Sequence, residues 1–328
     1  MKYIFGPVNS RRLGSSLGVD LFTEKICNLN CIYCEVGPTA LLTCERRPYT
    51  ATEEILAELE DFFAGRGRQA DIDVVTVTAS GEPTLHADLG RIISFLRDLV
   101  DIRIALLTNG TTFDKPAVRR EAGMADVVIP SLDAALPESF RKIDRPAQCL
   151  DLQRIIEGLV LFSHEFTGQL WLEILFANGI NDTERDITAL ADVIARMRLD
   201  RIQINSVARP PLESFARPLP ETRLQEINHF FKDRFPDIPV DLLARGASTA
   251  DAAETAAKVQ DAGPVSERLP EIIEMLRRRP CTAADINKTF HFGGPDKVEQ
   301  SLEPLVLSGQ LRLCQYGGRK YYQIREEH

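Results

Sequence analysis

Long apolar runs are missing from this 328-residue chain. The longest, at 159–162 and 171–177, stop far short of the about 20 residues that a membrane-spanning helix needs. The opening residues, Met-Lys-Tyr-Ile-Phe-Gly-Pro, have no signal-peptide apolar region. Positive charge is not in excess. Lys and Arg number 39 against 48 Asp and Glu, and a net charge of −9 offers no global reason to expect nucleic acid. No P-loop, G-x-G-x-x-G or H-E-x-x-H pattern occurs, so nucleotide hydrolysis, dinucleotide binding and zinc proteolysis lack support. Cysteine is sparse, with seven residues, and an odd count with three committed to one loop argues against a secreted disulfide framework. These absences predict a cytoplasmic protein with no membrane partner. A hydrophobic content of 44% and a charged content of 27% are ordinary for a globular chain. The length allows one large domain and a small one.

What the chain has is concentrated at Cys27-Asn-Leu-Asn-Cys31-Ile-Tyr-Cys34, three thiols within eight residues at C-x3-C-x2-C spacing. A free cysteine is often just a small buried apolar residue, but this density among Asn and Tyr is a poor core pattern. A zinc site usually pairs two knuckles, and the nearest further thiol is the lone Cys44. A closed [4Fe–4S] site takes four cysteines. Three thiolates on one loop hold three corners of the cubane and leave one iron open to a small molecule. Cys44, Cys149, Cys281 and Cys314 stand singly, so one cluster is expected.

Around that loop the pattern alternates. Residues 1–17 read as turns leading into a strand at 18–22. Arg11 and Arg12 there either meet an anion or form a solvated pair. Runs at 73–79, 103–107, 127–129, 170–176 and 201–207 predict further buried parallel strands. A capping box, Thr50-x-x-Glu53, predicts a helix through about residue 64. Further helices are predicted at 88–100, from 114, and at 150–162, 183–197 and 220–235, with 140–146 as a connection. Six strand–helix units imply a parallel sheet with right-handed crossovers, filling residues 1–238. Such folds place their chemistry at the C-terminal ends of strands. Those ends carry Gly81, Glu82 and Pro83, then Asn109, then Ser131 and Asp133, then Asn178, and finally Asn205 and Arg209. Glu173, acidic within an apolar strand, must find a partner or face the barrel interior. Arg209 suits a carboxylate or phosphate, with Arg141 and Arg145 as weaker versions.

Residues 239–265 read as a linker, with a short strand at 239–243 and an Ala-rich helix near 249–261. Residues 266–328 read as a small domain. It has a helix at 269–279, one capped by Thr282-x-x-Asp285, one at 295–307, and strands at 310–315 and 320–324 joined through Gly317-Gly318. That order resembles a winged helix. Its segment 296–303 is net acidic, which is poor for phosphate contact. Docking of a substrate or partner is therefore favoured over DNA, with Arg319 and Lys320 still placed to touch RNA.

The cysteine loop, with Tyr33 just before its last thiol, resembles the cluster loop of the radical S-adenosylmethionine (SAM) superfamily. The resemblance covers about residues 18–235. It implies an α/β fold built on a partial (β/α)6 TIM-type barrel, one [4Fe–4S] cluster on Cys27, Cys31 and Cys34, and SAM at the open iron. It further implies reductive cleavage of SAM to methionine and a 5′-deoxyadenosyl radical that abstracts a substrate hydrogen. The electron comes from a donor such as flavodoxin or ferredoxin. Gly81-Glu82-Pro83 is similar to the family's Gly-Gly-Glu motif, which meets the SAM amino group, with Ser80 in place of the first glycine. Glu82 also reads as a helix-entry charge. Asn109, Ser131 and Asp133 become candidates for holding SAM, and Asp133 also reads as a turn former. Glu173, Asn205 and Arg209 become candidates for the SAM ribose or the substrate.

The runs GPVNSRRLGSSLGVDL, GEPTL and INSVARPP resemble a branch related to wyosine-type tRNA modification enzymes. The wyosine synthases carry further N-terminal cysteines for a second cluster, and none precedes Cys27 here. The resemblance thus carries the chemistry rather than the wyosine reaction. Three readings follow: an enzyme modifying tRNA or a peptide docked by the C-terminal domain, an enzyme acting on a small metabolite, and a non-catalytic redox regulator.

Overall fold

The computed structural model describes residues 1–10, 12–65, 67, 70–243 and 265–324. The expected helix near 249–261 and Arg11 lie outside the described residues. In chain order come β1 (Ile4–Ser10), β2 (Gly14–Asp20), β3 (Ile26–Cys27), β4 (Leu41–Leu42), α1 (Thr52–Ala64), β5 (Val74–Thr78), α2 (Leu89–Leu99), β6 (Arg103–Thr108) and α3 (Pro116–Ala122). They are followed by β7 (Val127–Pro130), α4 (Pro137–Ile143), α5 (Leu152–Glu165), β8 (Gln169–Phe176), α6 (Glu184–Ile194), β9 (Arg201–Ser206), α7 (Glu221–Arg234) and β10 (Val240–Leu242).

Eight strands form one sheet in the order β1-β2-β5-β6-β7-β8-β9-β10. Every neighbouring pair from β2 to β10 is parallel, and β1 runs antiparallel to β2 at the edge. This is the expected α/β sheet with its strand–helix alternation. Successive side chains point to opposite faces of a strand. Val75, Val77, Ile104, Leu106, Val128, Leu172, Ile174, Ile202 and Ile204 therefore join the core shared with the helices. The other face carries a smaller cluster of Leu13, Val74, Ala105, Val127, Ile129 and Trp171. Further along that same parity lie Thr78, Ser131, Glu173 and Asn205, so the inner face turns from apolar to polar towards the strand ends.

Three local expectations differ from the structure. Residues 4–10 form β1 rather than turns. The glycine and serine content hides a hairpin in which the Phe5 ring lies on Gly18, where a Cβ would come within 2.0 Å of it. The Thr50 capping box is not made. The Thr50 hydroxyl donates to the Leu21 carbonyl at 2.7 Å, and Ala51 takes the N-cap position without a side-chain bond. Part of the predicted connection at 140–146 is helix α4, which starts at Pro137. Cys44 and Cys149, single in the sequence, are joined by a disulfide. Among the described residues, no helix is long and apolar enough to cross a membrane.

The C-terminal part contains α8 (Leu269–Arg278), α9 (Ala283–Phe290), α10 (Pro295–Leu307) and an antiparallel hairpin of β11 (Leu311–Tyr316) and β12 (Arg319–Ile324). Here Thr282 and Asp285 do form a capping box. Gly317 and Gly318 take φ of +56° and +75°, the turn that glycine permits in a tight hairpin. This unit has its own core, built on Ile272, Leu276, Ile286, Val298 and Leu302. It also touches the barrel, through Tyr321 Oη donating to the Ala208 carbonyl at 3.1 Å after β9 and through Arg278 beside β1.

Two outcomes follow. Phe162 is 1% exposed and stacks on Phe113 at 4.3 Å and on Phe166 at 5.0 Å. Phe162→Ala is expected to cost about 3–5 kcal/mol in denaturant unfolding. His86 is buried against Phe22 and Thr50, and burial holds its imidazole below the usual pKa. The neutral ring is favoured in the fold. Its contribution is intact above the unfolded value of about 6.5 and is lost as pH falls below it. Melting temperature against pH is expected to fall less steeply below about pH 6.5 in His86→Gln than in the wild type.

Candidate active site

The cysteine loop leaves the first parallel strand and is held from three sides. Ile26 N donates to the Ser80 carbonyl at 3.0 Å, and Glu82 N donates to the Ile26 carbonyl at 2.9 Å. Between them Gly81 sits at φ +127°, and a Cβ there would lie 1.8 Å from the Ile26 oxygen. Only glycine fits that approach. On the far side, Asn30 N donates to the Asp144 carbonyl, Ile32 N to that of Ile143, and Ala147 N to that of Asn28. The third side is the segment after the loop, where Thr43 N donates to the Cys27 carbonyl at 3.0 Å. The Cys44–Cys149 bridge ties that segment to the stretch before α5.

Cys27 is 7% exposed, and Cys31 and Cys34 are half-buried. Leu29 N and Asn109 Nδ2 donate to Cys27 Sγ at 3.4 and 3.7 Å. Cys31 Sγ donates to Asp144 Oδ1 at 3.4 Å. Burial, and then the Glu82 charge, push the Cys27 thiol up to about 12, and Cys31 is raised by burial and then by Asp144. Such thiols ionise when a cation binds them rather than serving as free nucleophiles. Among the described residues, no three His, Cys, Asp or Glu side chains close in on a single ion. A cubane instead spreads its ligands, one thiolate per iron.

A cavity of about 190 Å³ opens beside the loop. Leu29 and Tyr33 of the loop form one wall, and Gly81, Asn109, Ser131, Asp133, Glu173 and Arg12 are among the others. Asn109 is fixed at both ends of its side chain, donating to Asn28 Oδ1 at 2.8 Å and accepting from the Thr111 amide and hydroxyl. Asp133 accepts from the Tyr33 hydroxyl and from Leu175 N at 2.8 Å. Burial pushes its carboxyl up to about 7. Glu173 pairs with Arg12 and accepts from Asn205 Nδ2 at 3.0 Å.

Other predicted residues lie off this cavity. Glu82 and Pro83 do not line it. Glu82 is fully buried and caps the short turn Pro83–Leu85, accepting from the Thr84 amide and hydroxyl, the Thr108 hydroxyl and Asn109 N. Burial raises its pKa despite those bonds. Asn205 reaches the cavity only through Glu173. Arg209 pairs with Glu35 at 3.3 Å and with Asp285 of α9 at 3.8 Å. Burial opposes its charge, but those carboxylates outweigh burial and raise its pKa. Arg145 pairs with Glu213, and Arg141 and Asn178 are exposed. Sequence reasoning missed Asn28 and Asp144. Asn28 sits between cysteines in the motif itself, a signal that was available, whereas nothing local marks Asp144.

A parallel strand–helix sheet with a three-thiol loop and a polar cavity at its strand ends defines a partial-barrel class of cluster-dependent enzymes. The chain belongs to the radical SAM superfamily, whose description matches residues 23–191. Members of that superfamily use a [4Fe–4S] cluster and SAM. The chain is 32% identical over 327 residues to a UPF0026 protein of Helicobacter pylori, covering 97% of this chain and 96% of that one. It is 32% identical over 311 residues to a protein of Brachyspira hyodysenteriae named GTPase Obg, covering 95% of this chain but only 43% of that relative. Among solved structures, TYW1 with a lysine-pyruvate adduct bound has a TM-score of 0.50 at 20% identity, over 68% of this chain and 75% of that one. At that identity the likeness concerns the fold.

The close approach at Gly81 sets a test. Gly81→Ala is expected to destabilise the apo-protein by about 4–5 kcal/mol, the upper end for one substitution, read by thermal unfolding.

Proposed function

We propose that Cys27, Cys31 and Cys34 hold one [4Fe–4S] cluster and that the adjoining cavity takes SAM. The observation that carries this reading is the wall shared by the cysteine loop and the strand ends, with Tyr33 of the loop on Asp133 and Asn109 beside Cys27. When bound, the cluster supplies one electron to the SAM sulfonium, yielding methionine and a 5′-deoxyadenosyl radical that takes a hydrogen atom from a substrate. The residues of this chain bind and orient. The backbone at Gly81 offers acceptors to the amino group. Asn109, Ser131 and Asp133 present polar groups to the carboxylate and ribose. Arg12 and Glu173, farther along the inner face, meet the substrate. The buried core below them keeps water from the reacting atoms.

The substrate is tRNA or a peptide docked by residues 266–328, the second domain. Contacts of that unit with the barrel support this reading, since a docked chain would lie close to the strand ends. The electron donor is a flavodoxin or ferredoxin, and the setting is the cytoplasm.

The test is anaerobic reconstitution followed by SAM and dithionite, with chromatography for 5′-deoxyadenosine. Wild-type protein is expected to bind about four irons per chain and release the nucleoside. Alanine at Cys27, Cys31 or Cys34 is expected to reduce release to background, while Cys314→Ala retains it. Absence of the nucleoside from iron-replete wild type would sink the enzyme reading and leave the regulator.

A further inference from the structure

We infer that Arg278 of the C-terminal unit is a positioning residue for the Ser80–Glu82 strand end, so that the seat of that unit sets how tightly the barrel holds SAM. The inference rests on the cavity being the SAM site, and its test separates the two.

Arg278 is the last residue of α8 and its side chain is 12% exposed. Its Nε donates to Asp20 Oδ2 at 3.1 Å, and its Nη2 donates to the Lys2 carbonyl at 3.0 Å. Its Nη1 donates to the Glu274 carbonyl at 3.0 Å, and the guanidinium lies 4.7 Å from the Phe5 ring centre. With Glu274 Oε2 also 3.4 Å from Nη1, five contacts hold one planar group, so the guanidinium has a single seat.

Asp20 ends β2, and its side chain is 4% exposed. It receives Ser80 N on Oδ1 at 2.6 Å, the Ser80 hydroxyl on Oδ2 at 2.7 Å and Phe22 N on Oδ1 at 3.2 Å. Ser80 stands where the resemblance expects glycine. The structure gives the departure a use, because glycine has no hydroxyl to offer Asp20. From Ser80 the connection is backbone to backbone, through Ile26 N on the Ser80 carbonyl and Glu82 N on the Ile26 carbonyl, around Gly81 in the cavity wall. Cys27 follows Ile26 directly.

The carboxylate of Asp20 accepts from Ser80 on both oxygens. Burial disfavours that charge, and Arg278 is its cationic partner among the described residues. Without the guanidinium, the buried carboxylate loses its counter-charge and draws in water. That loosens the bonds to Ser80, and with them the position of Gly81. The route runs from a helix of the C-terminal unit to the strand end beside the cysteine loop, across 258 residues of sequence. A partner that shifts α8 on binding would act on SAM along this route.

The test uses the full chain with Arg278→Gln, Arg278→Lys, Asp20→Asn and the double substitution Asp20→Asn with Arg278→Gln. Amide hydrogen exchange of the peptides carrying residues 20–27 and 78–84 is the first readout and needs no ligand. Exchange in Arg278→Gln is expected to rise there, while the core peptides of α5 and β8 keep the wild-type rate. Arg278→Lys should recover part of the protection. SAM affinity by equilibrium dialysis is the second readout, on protein of matched iron content. Arg278→Gln is expected to weaken it about tenfold, and the double substitution should do no more than Asp20→Asn alone. Wild-type exchange in both peptides of Arg278→Gln would overturn the inference, and so would additive effects in the double substitution. A wild-type protein that binds iron but no SAM would overturn the SAM reading and the affinity claim with it, and the exchange comparison would still decide the positioning.

Discussion

The carbonyl of Ile26 occupies the space that a side chain at residue 81 would need. Much of the site follows from that approach. Ser80 and Glu82 bond Ile26 from either side of Gly81, which fixes the direction in which Cys27 leaves its short strand. Glu82, drawn inward, spends its carboxylate on Thr84, Thr108 and Asn109 N. Asn109 is thereby set to reach Cys27 and Asn28. A glycine in one motif thus bears on the geometry of Cys27 in another, more than fifty residues away.

The charge around the cavity is one-sided. Asp133, Asp144 and Glu173 line it, Glu82 lies behind it, and Arg12 is the guanidinium among the lining residues. Burial raises the pKa of Asp133, Asp144 and Glu82, so each carboxylate is held at a cost that a positive ligand would relieve. SAM brings a sulfonium and an ammonium, two positive centres against one carboxylate. The acidic excess therefore agrees with the proposed ligand better than it would with a free phosphate or nucleotide. Burial opposes the ionised forms of Asp133 and Asp144, and a bound cation favours them.

The sheet was largely legible in the sequence because buried parallel strands read as near-continuous apolar or β-branched runs, and 73–79, 103–107 and 170–176 carry that pattern plainly. The cysteine loop was legible because ligand spacing is a local property. What failed to show was decided by partners distant in sequence. β1 is masked by Gly6, Pro7 and Ser10, and only its pairing with β2 makes it a strand. Thr50 looks like a cap, yet the Leu21 carbonyl claims its hydroxyl. Asp144 gains its place from Cys31, more than a hundred residues earlier. Of the two readings of Glu82, one is seen in the fold. The structure uses it as the helix-entry charge, with its neighbour Gly81 facing the cavity.

Arg209 marks the limit of reading a residue type for its chemistry. A guanidinium at a strand end suits an anionic substrate, but here Glu35 and Asp285 hold it between the cysteine loop and the C-terminal unit. Arg145 is likewise engaged by Glu213. The basic groups closest to the strand ends are already answered by carboxylates, and a phosphate backbone arriving there would have to displace them. Phosphate contact by counterion release draws on cations that stand in solvent. Arg319 and Lys320, exposed on the hairpin turn, meet that condition. The segment 296–303 of α10 is net acidic and does not meet it.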